Sequence, residues 1–243
     1  MVRDFPEGLP MSAVEEYATV HVALKTPLAL GKTGSRSLLD SLLLQRLMLL
    51  HDADWDRALA DMPLAHREGI WMGGGGFDPG AGRFVQRRPI YRQLLSDHVM
   101  DMAEEHLGLT LKMYMRAAGS LMGSSNLATS SQYMVNDVSR LDFRMMGDPG
   151  AVVQLLSIEP YLGPGQSCGF GEIDHVSVTL AGPQNMGWLL TDPGGRLTRP
   201  IPEDLAAHID TALAWRDQVR IEPPYWMGDA IAGWRPRPVE YTG

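Results

Sequence analysis

The chain has 243 residues, 44% hydrophobic and 21% charged, with a formal net charge of −8. That composition excludes a disordered chain and fits one large domain, or a domain with an appendage, that can bury a proper core. The acidity argues against a free-standing nucleic-acid binder, although an acidic chain can still present one basic face.

The single cysteine, Cys168, excludes an internal disulfide framework and a multi-cysteine zinc site, and makes a reducing, cytoplasmic setting the default expectation. No apolar run approaches the roughly 20 residues that span a bilayer. Residues 1–12 carry Asp4 and Glu7 and no apolar core, so they do not read as a signal peptide.

In chain order, residues 16–30 alternate and predict a first strand, with Pro27 ending it or placing its end at an edge. Gly31-Lys32-Thr33-Gly34 is a turn, and Ser35 or Ser37 can cap a Leu-rich helix over 37–51. A short acidic helix is expected over 54–61. Residues 69–72 read as a buried strand, interrupted by Gly73 to Gly76, a run that suggests a bulge or close approach of another backbone.

Residues 77–92, turning at 78–82, read as a projecting hairpin. Residues 109–116 are strand-like, and 117–132, rich in Ser, Gly, Ala and Asn, read as a mobile insertion. A strand over 139–146 and a helix entered at Pro149 and running to about Tyr161 follow. A strand over 172–180, a terminal hairpin around 188–195, a last helix from Pro202 to about Arg220, and an irregular tail complete the chain.

The order β-α-β-(hairpin)-β-α-β is the split βαβ pattern of an α+β, ferredoxin-like (RRM-like) fold. Residues 13–200 are assigned to this domain, with insertions at 77–92 and 117–132, and 201–243 to a C-terminal helix and tail.

The most informative motif is Gly163-Pro-Gly165-Gln166-Ser167-Cys168-Gly169-Phe170-Gly171. Glycine permits positive φ and close approach to the peptide groups, and consecutive exposed N–H groups form a concavity suited to phosphate. Nucleotide-binding glycine loops run strand, loop, helix, which puts phosphate on a helix N-terminus. Here the predicted order is helix, loop, strand, which excludes those readings. Gly31-Lys32-Thr33 lacks the glycine five residues earlier that a phosphate loop needs, since Thr26 stands there, although Lys32 and Arg36 could touch a phosphate backbone.

Arg83, Phe84, Arg87, Arg88, Tyr91 and Arg92 combine cations, which pair with phosphates, and aromatic rings, which stack on unpaired bases. A solvated hairpin balancing the neighbouring acid clusters is the competing reading. The seven histidines show no metal-ligand spacing, and no cofactor or metal is expected. Cys168 lacks a readable base and orienter for a nucleophile.

The glycine loop resembles that of the RAMP superfamily of CRISPR-associated proteins. The wider series is similar to the Cas-five-like subunit of type IV CRISPR effector complexes. That series comprises Lys25-Thr-Pro-Leu28, the helix from Leu38, Pro63-Leu64, Arg67 to Trp71, Asp142-Phe143, Gly147-Asp148, Trp188, Gly194-Gly195-Arg196, Arg199-Pro200 and Pro223-Pro-Tyr-Trp226. The resemblance spans about residues 17–226.

It implies a RAMP fold with a thumb-like hairpin and a non-catalytic subunit that binds the 5′ handle of a crRNA and caps a filament of backbone subunits. It leaves a large subunit and target DNA open as further partners, and implies no membrane association. The implied RNA-binding residues are Gly163, Gly165, Gln166, Ser167, Gly169, Phe170, Gly171, Lys32, Arg36, Arg83, Arg87, Arg88, Tyr91 and Arg92.

Two alternatives stay open. One is a metal-free endoribonuclease processing repeat RNA, with His21, His66 or Tyr91 as base and Arg88 or Lys32 stabilising the charged intermediate. The other is a structural partner whose loop packs against protein alone.

Overall fold

The computed structural model describes residues 15–30, 37–79, 85–93, 128–136, 138–163, 169–225 and 228–237. The architecture is mixed α+β, with small antiparallel sheets and few helices among the described residues. Strand β1 (Glu16–Leu24) is followed by β2 (Leu28–Leu30), helix α1 (Leu39–Leu50) and helix α2 (Trp55–Ala60). Two-residue strands β3 (His66–Arg67) and β4 (Ile70–Trp71) form a small hairpin. Then come β5 (Val85–Gln93), β6 (Ala128–Asn136), β7 (Arg140–Gly147), α3 (Pro149–Leu156), β8 (Ile173–Ala181) and α4 (Met186–Leu190). Strands β9 (Ile201–Pro202), β10 (Ala214–Val219) and β11 (Ile231–Pro236) close the chain.

β1 is the centre of the main sheet, ordered β7-β1-β8, and both of its pairings are antiparallel. Its alternation is the reason. Ala18, Val20, Val22 and Leu24 are buried, and across from the first three stand Met145, Phe143 and Leu141 of β7. These pack with Leu39, Leu43 and Leu47 of α1 and Val152, Leu155 and Leu156 of α3 into one core.

Residues 73–77 run along the free side of β7, bridging Gly73 to Met145 and Phe77 to Asp142 in antiparallel sense. The glycines there answer to crowding. A Cβ on Gly75 would lie 2.0 Å from the Thr198 carbonyl oxygen, and one on Gly76 would lie 2.9 Å from the Phe143 ring. The expected close backbone approach is therefore met, and its partner is the segment around Thr198.

Several expectations need correction. The first strand splits at Lys25–Pro27, because Leu24 donates to the Ser139 carbonyl and Lys25 to that of Glu172, which turns the chain away. The N-cap of α1 is Leu38, with no side-chain cap, so Ser37 does not serve. α3 ends at Leu156 rather than near Tyr161.

Val85–Gln93 pairs with Ala128–Asn136, not with the residues just before it, so part of the expected insertion is a strand. Residues 109–116 lie outside the described residues. Trp188 belongs to a helix capped by the Asn185 side chain, although the turn after it survives in the Thr191–Leu197 bridge. The expected helix over 202–220 is instead two 3₁₀ turns and a strand, because Asp210 accepts from the Ala212 N–H and restarts the chain. The tail expected to be irregular contributes β11, which pairs with β10 and β9.

A second core joins this C-terminal part to β7, through Met146, Ile70, Met72, Leu189, Leu190, Leu197, Ile201 and Ala214. Beneath it lies an ion pair that is wholly buried on both sides, Arg199 Nη2 to Asp40 Oδ2 at 3.1 Å. Tyr225 donates to the same carboxylate oxygen at 2.6 Å. Burial, with the neighbouring Asp40 charge opposing ionisation, pushes the Tyr225 phenol well above its ordinary value.

The sign follows directly. Above about pH 10 the unfolded chain releases this proton and the folded one retains it, so stability falls as pH rises. Replacing Tyr225 by Phe is expected to flatten that alkaline slope in urea midpoints measured between about pH 9 and 11. An unchanged slope would contradict the assignment.

Candidate nucleic-acid interface

The neck of the glycine loop is a short ladder. Tyr161 bridges Glu172, and the Leu162 N–H donates to the Gly171 carbonyl at 2.8 Å. Gly163, Gly169 and Gly171 all have φ between +71° and +79°, the left-handed region. At two of them something further demands glycine. A Cβ on Gly163 would meet the Ala29 carbonyl oxygen at 2.9 Å, and one on Gly171 would meet that of Leu162 at 2.1 Å. At Gly169 nothing lies within 4 Å. Gly169 is exposed and Phe170 half-buried.

The strand-side support comes from the break after β1. Gly171 N–H donates to the Pro27 carbonyl at 2.9 Å, and Glu172 N–H to Thr26 Oγ1 at 2.8 Å. Lys25 Nζ reaches Glu172 Oε1 at 3.1 Å, a solvent-exposed pair of small energetic weight. Helix α1 supports the other side, where Arg46 Nη2 donates to the Tyr161 carbonyl at 2.8 Å. Burial lowers Arg46 from its ordinary value, and the charge of Glu159 partly opposes this.

β2 joins two candidate regions that lie far apart in sequence. Its Leu28 and Ala29 touch Gly163, and it pairs with β6 (Leu28 with Asn136, Leu30 with Met134). β6 pairs in turn with the arginine-bearing β5. Arg87 lies opposite Met134, Arg88 opposite Tyr133, Tyr91 opposite Ser130 and Arg92 opposite Thr129. The three-residue β2 and the longer β6 thus lie between the glycine-loop neck and the arginine strand. Lys32, Arg36, Arg83, Gly165, Gln166 and Ser167 lie outside the described residues.

The histidines considered as bases separate. His66 is on the small hairpin, with Nε2 3.0 Å from Glu222 and its ring edge-on to Trp71. His21 lies on the open face of the main sheet, with Nδ1 2.8 Å from Asp142 Oδ1 and Nε2 3.0 Å from Thr179 Oγ1. The carboxylate can only accept, so Nδ1 carries the proton in that contact.

His21, His175, Ser177, Ser139 and Arg140 line an open cleft of about 570 Å³. Polar side chains in it already have partners: Arg140 holds Asp142 at 2.9 Å, and His175 Nδ1 lies 3.1 Å from Asp174. The cleft is polar, and its arginine is already paired.

No cluster of metal-ligating side chains occurs among the described residues, nor any helix long and apolar enough to cross a membrane. No protein-family model matches the chain, and a comparison with curated proteins gives no match.

Sequence reasoning missed Arg46 and β2. Arg46 had a signal, because it continues the apolar stripe of Leu39, Leu42, Leu43, Leu47 and Leu50 on α1. A charge on that stripe must find a polar partner inside.

Proposed function

We propose that this chain is a non-catalytic RNA-binding subunit of a type IV CRISPR ribonucleoprotein, binding the 5′ handle of the crRNA and capping a filament of backbone subunits. The observation that carries the reading is that the glycine-loop neck packs against β2, which belongs to the same three-stranded sheet, β2-β6-β5, as the arginine-bearing strand. An extended strand of RNA needs phosphate contacts in register with stacking or cationic side chains, and two such elements linked through one small sheet can serve a single chain.

The pairing order is in keeping with a ferredoxin-like RAMP domain. Residues 73–77, β7, β1 and β8 follow one another with alternating direction, α1 lies between the first strand and 73–77, and α3 lies between β7 and β8. That is the split βαβ order, and the glycine loop falls between the second crossover helix and the last strand.

Gly169 is the position to test, because its surroundings are open and aspartate tolerates left-handed backbone. Gly169→Asp is expected to leave the fold intact and to weaken binding of a guide RNA carrying its 5′ handle by about tenfold, from like-charge repulsion at the loop. Unchanged affinity would sink the phosphate role. Cleavage of repeat RNA by the purified protein in EDTA would overturn the non-catalytic part and move the chemistry to the His21 cleft.

A further inference from the structure

Among the described residues, every long sheet edge but one is covered or charged. Residues 73–77 cover the free side of β7. β5 carries Arg87, Arg88, Pro89 and Arg92, and β10 carries Arg216 and Asp217, the kinds of residue that keep an exposed edge from pairing. β2 and β9 are too short to template a partner. The exception is β8, nine residues long at the edge of the main sheet. No charged residue occurs from Val176 to Pro183, and Ser177, Val178, Thr179 and Leu180 are exposed in succession.

The backbone groups of that edge point outward. Asp142 exchanges backbone hydrogen bonds with Phe77, so Leu141, Phe143 and Met145 turn theirs toward β1. Val22, Val20 and Ala18 face β7 in return, which leaves Ala23, His21 and Thr19 to bond with His175, Ser177 and Thr179 of β8. The N–H and C=O groups of Val176, Val178 and Leu180 are therefore directed away from the sheet, and no described residue pairs with them. Their side chains lie on the core-facing side, opposite Val22, Val20 and Ala18, but beyond Val176 the core does not cover them. Val178 is 37% exposed and Leu180 60%. An apolar row and an unpaired ladder thus fall on the same residues.

We infer that β8 pairs with β8 of a second copy of this chain, antiparallel about a two-fold axis at Val178, so that the two main sheets become one. That register sets Val178 against the partner's Val178, Val176 against the partner's Leu180, and Ser177 against the partner's Thr179. Apolar meets apolar on one face and hydroxyl meets hydroxyl on the other. Outward backbone groups also meet outward groups, as an antiparallel ladder requires. Neighbouring registers fit worse. Centring on Ser177 would put Asp174 against Leu180, and Ala181 against Ile173, whose N–H already donates to the Pro160 carbonyl at 2.8 Å. Centring on Thr179 would leave Val176 facing Gly182. Around Val178 the partner's strand ends at Ala181, opposite His175, before it reaches the stretch of edge that Pro160 and Tyr161 occupy. The inference does not depend on the RNA-binding reading.

The experiment measures the mass of the full-length, nuclease-treated protein by sedimentation over a range of concentrations, for the parent, Val178→Lys, Val178→Glu and Leu180→Lys. The parent is expected to sediment as a dimer. Val178→Lys sets two lysines against each other at the axis and removes apolar contact, so it is expected to weaken self-association about tenfold or more. Leu180→Lys acts on the same face away from the axis and is expected to weaken it as well. Both side chains are exposed, so the far-UV circular dichroism of the variants should match the parent's. Mixing Val178→Lys with Val178→Glu is expected to restore the dimer that neither forms alone, because at the axis a residue meets its own copy.

A parent that stays monomeric overturns the inference and leaves the edge to a strand of another protein. A parent dimer that the folded lysine variants keep also overturns it, because the interface then lies elsewhere. If Val178→Lys does not fold, Leu180→Lys decides: a dimer lost in that folded variant supports the pairing, and a dimer kept refutes it. A dimer lost in both variants and not recovered in the lysine–glutamate mixture overturns the register about Val178.

Discussion

Asp40→Ala is expected to lose about 3–5 kcal/mol of folding stability, the usual consequence of stranding one half of a buried ion pair. The Asp40 carboxylate is fully buried, and both oxygens are used: Oδ1 takes the Ser41 N–H at 2.7 Å, and Oδ2 takes the Tyr225 hydroxyl and Arg199. Alanine would leave the Arg199 charge facing a void while its other N–H groups stay bound to three carbonyls, so it could not swing out to water.

The pair also joins four stretches distant in sequence: α1, the strand leading into the glycine run, the segment around Arg199, and residues 221–225. Replacing both charges, with Asp40→Leu and Arg199→Met together, should recover only part of the loss, because the carbonyls of Gly73 and Ile221 would then lose the donor that Arg199 gives them. Guanidinium unfolding with an unchanged slope measures each term. A loss below about 1 kcal/mol for Asp40→Ala would mean that water reaches the site.

Much of the main sheet was legible in sequence: β1 alternates between buried and half-buried residues, and β7 is a nearly continuous buried run. β1, β7 and β8 fall within a residue or two of expectation, apart from the break before Pro27, and α1 and α2 follow from the leucine spacing and the Asp54 cap. The C-terminal part was not legible, for a physical reason. β10 is buried only at Ala214 and Val219, with four exposed residues between, so it has no alternation to read. Its partner β11 holds Gly233 and Pro236, residues that lower strand propensity but fit where Gly233 passes the Ile201 carbonyl.

Of the candidate site, the glycines announced themselves and their supports did not. β2 is three residues long and reads as the end of β1; Pro27 marked a stop there, but nothing local reports that the chain resumes as a strand of another sheet. The loop neck is held by backbone groups of Pro27 and Leu162, and backbone hydrogen bonds leave no mark on residue identity. Long-range pairing, such as β2 with β6, depends on the whole fold.

Gly171→Ala and Gly169→Ala are expected to differ sharply although the two glycines stand two residues apart with nearly the same φ, +71° and +79°. Both substitutions pay the left-handed penalty of about 1–2 kcal/mol. At Gly169 that is the whole cost, since its Cβ would enter open space. At Gly171 the Cβ would also stand 2.1 Å from the Leu162 carbonyl oxygen and 3.3 Å from Leu28 Cδ1.

The Leu162 backbone cannot retreat without breaking its own N–H bond to the Gly171 carbonyl, and Gly171 is tied to Pro27 on its other side. Overpacking against fixed backbone should raise the total to about 2–5 kcal/mol. Hydrogen exchange is expected to show the amides of Leu162 and Gly171 losing protection in Gly171→Ala and keeping it in Gly169→Ala. Equal stability losses and equal protection in the two variants would contradict the neck geometry. The difference also decides how RNA affinity is read, because a loss in Gly171→Ala reports the collapse of the neck, whereas a loss at Gly169 reports the loop surface itself.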